Sequence, residues 1–235
     1  MTETFSAQKS THEEKSIPAM TINIWSDIRC PFCYIGKRNF ERAVEQFAHK
    51  DSVEVIWRSF ELDPSLKTQP ESDLFGYLAK VKGMSYEESV QMHQHVTDVA
   101  RGAGLDFNFD KAVVANSYNG HRLIQLAKSL GLGDEAEELL FKAHFTDGRN
   151  IDDPQVLLQI GLTIGIPEAS VNRLLESDEF SSEVNADKAM ASSLGVRGVP
   201  FFLINDKFAI TGAQPSAVFL QALDKAWKAT VFSSS

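Results

Sequence analysis

The 235-residue chain holds two cysteines, and both fall in one tetrapeptide, Cys30-Pro31-Phe32-Cys33. Residues three apart on a helix are neighbours, roughly 5–6 Å from each other. A disulfide needs Cα atoms about 4.4–6.8 Å apart. Thiols at this spacing join and separate with little backbone motion, as a redox couple requires. Where a helix begins, unpaired N–H groups and the helix dipole favour an anion. Cys30 is therefore expected to sit exposed at a helix start, as the attacking thiolate with a depressed pKa. Cys33, one turn in, is expected to be less exposed and to resolve the mixed disulfide. Arg29 adds a positive charge nearby. An inert pair and a zinc site are the competing readings. Zinc takes four ligands. There is no second cysteine pair, and His93 and His95 stand two apart on a predicted helix, so no metal is expected.

The flanking sequence supplies the elements this chemistry needs. Thr21–Ser26 alternates β-branched or aromatic residues with polar ones and reads as a strand. Pro31 suits the first turn of a helix, and Ile35, Phe40, Val44 and Phe47 mark its apolar face. Val53–Phe60 is a second strand, so the motif lies in a βαβ unit with a parallel pair. From Leu66 to Asp178 helical patterns follow one another. Ser85 and Glu88 form a capping box for a helix to about Arg101. Further helices are predicted over 117–130, 134–146, 153–165 and 167–176. The acidic run Asp134–Glu138 opens one of them, where negative charge is favourable. The α/β pattern then returns with a helix over 182–194. A hairpin of 200–204 and 207–211 follows around Asn205-Asp206, and a closing helix covers 215–227. The expected fold class is α/β: a domain from 20–65 and 180–230, thioredoxin-like by family resemblance, interrupted by an all-helical insertion domain over 66–179. Residues 1–19 and 231–235 are expected to be tails.

A net charge of -9 with no basic stripe argues against nucleic acid as a partner. No apolar run approaches the ~18 residues of a membrane span. Met1–Ala19 lacks the basic start and apolar stretch of a secretory signal, so a cytoplasmic protein is expected.

Taken in order, several segments resemble the DsbA-like oxidoreductases, specifically their FrnE-like branch, which lacks an export signal. They are Cys30-Pro31-Phe32-Cys33-Tyr34-Ile35-Gly36, Ser59-Phe60-Glu61-Leu62-Asp63-Pro64, Asn116-Ser117 with His121-Arg122, Gly148 with Ile151-Asp152, and Gly195-Val196-Arg197-Gly198-Val199-Pro200 followed by Gly212-Ala213-Gln214. The resemblance spans about Thr21 to Trp227. It implies that Pro200 is a cis-proline facing the disulfide. The Val199 backbone would then pair with an extended substrate beside Cys30. Pro31 and Phe32 join the substrate contacts. His121 is either a cleft-lining substrate contact or a helix-face histidine with one hydrogen bond, and Asn116 either a contact or an ordinary cap. Asp27, beside the motif, reads more readily as a turn cap than as a proton relay for Cys33. Exported DsbA proteins often carry His inside the tetrapeptide. Pro31-Phe32 supplies no charge, which implies a less oxidising couple here.

The function implied is thiol–disulfide exchange with protein or small-molecule thiols and disulfides, through a mixed disulfide at Cys30. No bound cofactor is expected beyond the redox-active Cys30–Cys33 pair, with glutathione a candidate co-substrate and a monomer or homodimer as the assembly. The alternative is a glutathione-dependent transferase or isomerase of the kappa-class or hydroxychromene-carboxylate isomerase type. Those proteins are similar in fold but place Ser where Cys30 stands. A third, non-enzymatic reading uses the helical insert as a peptide groove.

Overall fold

A computed structural model describes residues 20–233, with side chains to residue 230. The tail expected over 1–19 lies outside the described residues, as do 234 and 235. The first strand, β1 (Met20–Ser26), leads into α1 (Pro31–Gln46), and β2 (Val53–Ser59) returns parallel to β1 with Ile24 opposite Trp57. Proline at the first helical position and the apolar spacing of Ile35, Phe40 and Ala43 account for α1, whose inner face is buried.

Between β2 and the last strands run α2 (Leu74–Lys82), α3 (Tyr86–Gly102), α4 (Tyr118–Ser129), α5 (Gly133–Phe145), α6 (Pro154–Thr163), α7 (Glu168–Leu175) and α8 (Ser181–Ser193). The Ser85–Glu88 capping box is formed. Helix α2 was not expected. Its signals are Asp73, whose side chain accepts from the Gly76 N–H, and Gly83, left-handed at φ 68°.

The hairpin β3 (Phe201–Ile204) and β4 (Phe208–Thr211) completes the sheet in the order β2-β1-β3-β4, with β3 antiparallel to β1. Asn205 and Asp206 both have positive φ, as a two-residue hairpin turn requires. Helix α9 (Ser216–Ser233) closes the chain and runs beyond the predicted end at 227.

Both faces of the sheet are covered, and β1 is buried along nearly its whole length. On one face Phe40 of α1 meets Phe202 of β3 and Phe219 of α9 at ring-centroid distances of 5.5 and 5.7 Å. On the other, the Trp25 indole donates to the Asp187 carbonyl of α8 at 3.0 Å. The Asp187 carboxylate accepts from the Ser59 N–H, Arg58 and Gln125, which ties α8, β2 and α4 together. The fold is thus α/β with a helical insertion in a thioredoxin-like frame. A second apolar cluster joins the two parts. Cys30, Cys33, Tyr34 and Ile35 pack there with Val96 and Ala100 of α3, and with Phe141 and Phe145 of α5.

Candidate active site

Cys30 is the N-cap of α1 and has no side-chain cap bond of its own. Its N–H donates to the Asp27 carbonyl at 2.9 Å, and its carbonyl accepts from the Cys33 N–H at 2.9 Å. These two turns fix the tetrapeptide at the end of β1. Both thiols are free. The Cys30 sulfur donates to the Val199 carbonyl at 3.6 Å, so the backbone before β3 lies beside it. The Val199–Pro200 peptide is cis, as the resemblance implies. Pro200 packs so closely on α1 that a Cβ on Gly36 would come within 3.0 Å of its ring.

The expectation of an exposed nucleophile is corrected. Cys30 is only 6% exposed, against 1% for Cys33. Cys30 reaches solvent through a cavity of about 500 Å³ that it helps to line. The walls are mostly apolar, from Leu74, Leu78 and Val81 of α2, Val96 of α3, and Phe109 and Phe145. This is the size and character of a small-molecule or side-chain pocket. Arg29, Asp63, Lys82 and His95 supply its polar groups. Phe32, Leu62 and Val81 leave exposed apolar surface on residues of the same cavity. Burial pushes His144, in the wall, down to about 4, with the Arg29 charge adding to the effect, so its imidazole is neutral near pH 7. His93 is lowered for the same first reason. The interior of the cavity is therefore uncharged where it meets these rings.

Burial, and then the neighbouring Cys30, push the Cys33 thiol well up, while the Asp27 backbone and the Ser26 hydroxyl act the other way. Cys33 rests as a thiol. The two sulfurs thus differ in kind: one borders the cavity, and the other is sealed behind it.

Asp27 does the capping expected of it, accepting from the Arg29 N–H at 3.1 Å and the Leu62 N–H at 2.7 Å. It also stands 3.5 Å from His121 Nε2, and both side chains are buried. Burial alone would raise the Asp27 carboxyl, but the pairing with His121 and the two N–H donors hold it below its ordinary value. His121 is raised despite its burial, because Asp27 faces it. His121 is 1% exposed and is not among the residues that line the cavity. Asn116 is also apart from Cys30. Its amide donates to the Leu66 carbonyl, its oxygen accepts from the Tyr118 N–H ahead of α4, and it lines a separate polar groove with Glu61 and Asp152.

The structure therefore brings together Cys30, Cys33, Pro31, Phe32, Val199 and Pro200, and leaves Asn116 and His121 outside the cavity. Sequence reasoning missed the cavity walls of α2. It also missed Glu137, buried and joined to Ser26 at the end of β1. Glu137, Phe141 and His144 are spaced i, i+4 and i+7, which puts the carboxylate on the buried stripe of α5. Among the described residues no group of three or more His, Cys, Asp or Glu is arranged to hold a metal. No described helix is long and apolar enough to cross a membrane.

The model of the DSBA-like thioredoxin domain matches residues 21–224. The chain belongs to this family. A relative in Bacillus subtilis (strain 168), the uncharacterized protein YwbO, is 31% identical over 205 residues, covering 86% of this chain and 94% of that one. The crystal structure of the probable DsbA oxidoreductase SCO1869 from Streptomyces coelicolor is 36% identical. It superposes with a TM-score of 0.84 over 89% of this chain and 90% of that chain. The cytosolic disulfide reductase DsbM from Pseudomonas aeruginosa, solved with GSH, has the same fold at 20% identity. Its TM-score is 0.59, covering 91% of this chain and 98% of that chain. The chain thus has a DsbA-like thiol–disulfide oxidoreductase fold.

Proposed function

We propose that this protein exchanges its Cys30–Cys33 dithiol with disulfides whose apolar portion enters the cavity beside Cys30. One observation carries the reading: Cys30 Sγ lies on the cavity wall, 3.6 Å from the Val199 carbonyl, while Cys33 is buried behind it. Cys30 attacks the substrate disulfide and forms a mixed disulfide. Cys33 then attacks the Cys30 sulfur, closing the Cys30–Cys33 bond and releasing the substrate thiol. Val199 supplies a main-chain group for an extended substrate, and Pro31 and Phe32 border its path. In a reducing cytoplasm, the setting of DsbM, the dithiol form dominates at rest and the protein works as a reductase or isomerase. Glutathione is its proposed co-substrate, the thiol that reduces the Cys30–Cys33 bond again. The same reading divides the chain at about 65/66 and 179/180, with the sheet and the motif on one side and the cavity-lining helices on the other.

Having both cysteines favours exchange over the glutathione-dependent transferase or isomerase alternative, which needs no resolving thiol. Reduction of insulin disulfides and of a small aromatic disulfide by purified protein tests this. Cys30→Ser is expected to abolish turnover, and Cys33→Ser to trap the mixed disulfide. Turnover surviving in Cys30→Ser, or conjugation activity indifferent to the loss of Cys33, would overturn the reading.

A further inference from the structure

The cavity beside Cys30 has polar lining of two kinds. Lys82 and His95 are exposed to solvent, and Arg29, Asp63 and Tyr77 are half-buried. Cys30 aside, the buried polar residues of the wall are His93 of α3 and His144 of α5, each 4% exposed. The exchange reaction, as written above, uses neither ring.

His93 is held in one orientation. Its Nδ1 lies 2.7 Å from the Ser89 carbonyl oxygen, one turn back along α3. A carbonyl oxygen only accepts, so Nδ1 carries a proton and donates it. Phe75 and Phe109 meet the ring edge to face, at 4.9 and 4.7 Å between centroids. Burial, helped by the Lys82 charge, lowers the imidazole against the Ser89 bond and the Asp73 charge, so it is neutral near pH 7. With the proton on Nδ1, Nε2 is a bare acceptor. Among the described residues Nε2 has no hydrogen-bond partner, and it is not sealed in protein. His93 lines the cavity, so that open side of the ring belongs to the cavity. His144 shows a similar lack on the α5 wall, where its Nδ1 is buried without a partner.

Buried polar groups are ordinarily paired. An apolar cavity with one bare nitrogen at a fixed place suits an apolar ligand that brings a donor. An ammonium would lose its hydration against Leu78, Met92 and Val96, whereas a hydroxyl exchanges one water contact for one bond. Phe32, Tyr77, Phe109 and Phe145 add four rings to the lining, which favours an aromatic body.

We propose that His93 selects the substrate of the exchange reaction, its Nε2 accepting a hydrogen bond from a neutral hydroxyl carried on an aromatic disulfide. This rests on the exchange reading above and adds the chemical class of the substrate. His93 is a binding residue and takes no part in making or breaking the sulfur bonds.

The test compares bis(para-hydroxymethylphenyl) disulfide with bis(para-ethylphenyl) disulfide, which match in size and differ in the hydroxyl. Each reacts with reduced protein in a single turnover at about pH 7.5. The released aryl thiol is followed by absorbance, and each rate is divided by that with dithiothreitol. The wild type is expected to favour the hydroxymethyl probe about two- to tenfold, the worth of one neutral hydrogen bond. His93→Phe, which keeps a ring between Phe75 and Phe109, is expected to erase that preference. Equal rates in the wild type, or a preference that survives in His93→Phe, would refute the proposal. Nitrogen NMR of the labelled wild type with para-(methylthio)benzyl alcohol, which has no disulfide, reads the same contact without turnover or substitution. The bare Nε2 resonance of His93 should move upfield as it accepts the bond, and para-ethylthioanisole should leave it in place. A resonance indifferent to the alcohol would overturn the site, whether or not His93→Phe folds. If the alcohol shifts Nε2 while the wild type reduces neither disulfide, the exchange reading fails and the His93 ligand site stands.

Discussion

Glu137 has a thermodynamic signature that needs no substrate. Its carboxyl is buried on α5, and burial raises it from about 4.5 in an unfolded chain to about 7 in the folded protein. A folded-state value above the unfolded one means that the folded protein binds more protons between the two. Stability from this group is therefore full below about pH 4.5 and is lost as pH rises to about 7. At roughly 1.4 kcal/mol per pH unit, the loss across that window is about 3 kcal/mol. His121 acts in the same direction. It is raised, so its contribution is present below about pH 6.5 and falls as pH rises through its folded value. Asp27 opposes both, but only in acid: it is lowered, so its contribution is lost as pH falls below about 3.8. Glu137→Gln isolates the first effect, because glutamine keeps an oxygen for Ser26 and has no proton to release. Urea unfolding at pH 5 and pH 8 should show the wild type losing about 2.5 kcal/mol more than the variant between the two, since part of the loss is already complete at pH 5. Parallel pH curves for the two proteins would show that Glu137 does not titrate in this window, and the argument from its burial would fail.

Other perturbations test the frame around the site. Asp187→Ala leaves the Ser59 N–H, Arg58 and Gln125 without their shared acceptor. It should cost about 3–5 kcal/mol, or roughly 6–20 °C in Tm by circular dichroism; a loss under about 1 kcal/mol would contradict the hub. Gly148→Ala places a Cβ 2.7 Å from the Lys111 carbonyl oxygen at a φ of 66°. It should destabilise by about 1–3 kcal/mol, and a neutral effect in denaturant unfolding would argue against that close approach. Leu78→Trp adds bulk in the cavity wall. It should lower kcat/KM for a bulky aromatic disulfide by about tenfold or more while sparing a small aliphatic one, and equal losses for both would mean that the cavity does not hold the substrate.

Much of the frame was legible because local chemistry and global position agree there. Pro31 at a first helical turn, the alternation in β1, the Ser85–Glu88 box and Asn205-Asp206 each report a backbone conformation that the fold uses. Cys30 and Cys33 were legible for the same reason, since spacing and helix start act within four residues. Helix α2 was hidden, although Leu74, Leu78 and Val81 follow helical spacing. That stripe faces a cavity, Gly76 weakens the helix signal, and the element is only nine residues long. The placement of His121 and Asn116 was not legible. Helix α4 is buried from Gly120 to Ala127, so no polar face marks which side meets the site. Glu137 was concealed in the run Asp134–Glu138. Charge near a helix start explains all its members equally well, and only the tertiary fold turns one of them inward. The exposure of Cys30 was overestimated because a helix N-terminus fixes orientation and says nothing of what packs over it.

Tyr34 follows the second cysteine directly. Its ring stacks on Phe141 at 4.8 Å and on Phe107 at 5.9 Å, while its hydroxyl donates to Glu138 at 2.7 Å. The helix that follows Cys30 and carries Cys33 is thereby anchored to residues more than seventy positions away in the chain, two of them more than a hundred. Shortening the protein to its sheet and flanking helices would strip that anchor and leave a naked aromatic wall beside the reactive pair. The proposed redox centre is thus a joint property of both parts of the fold and cannot be lifted out with the strands that hold it.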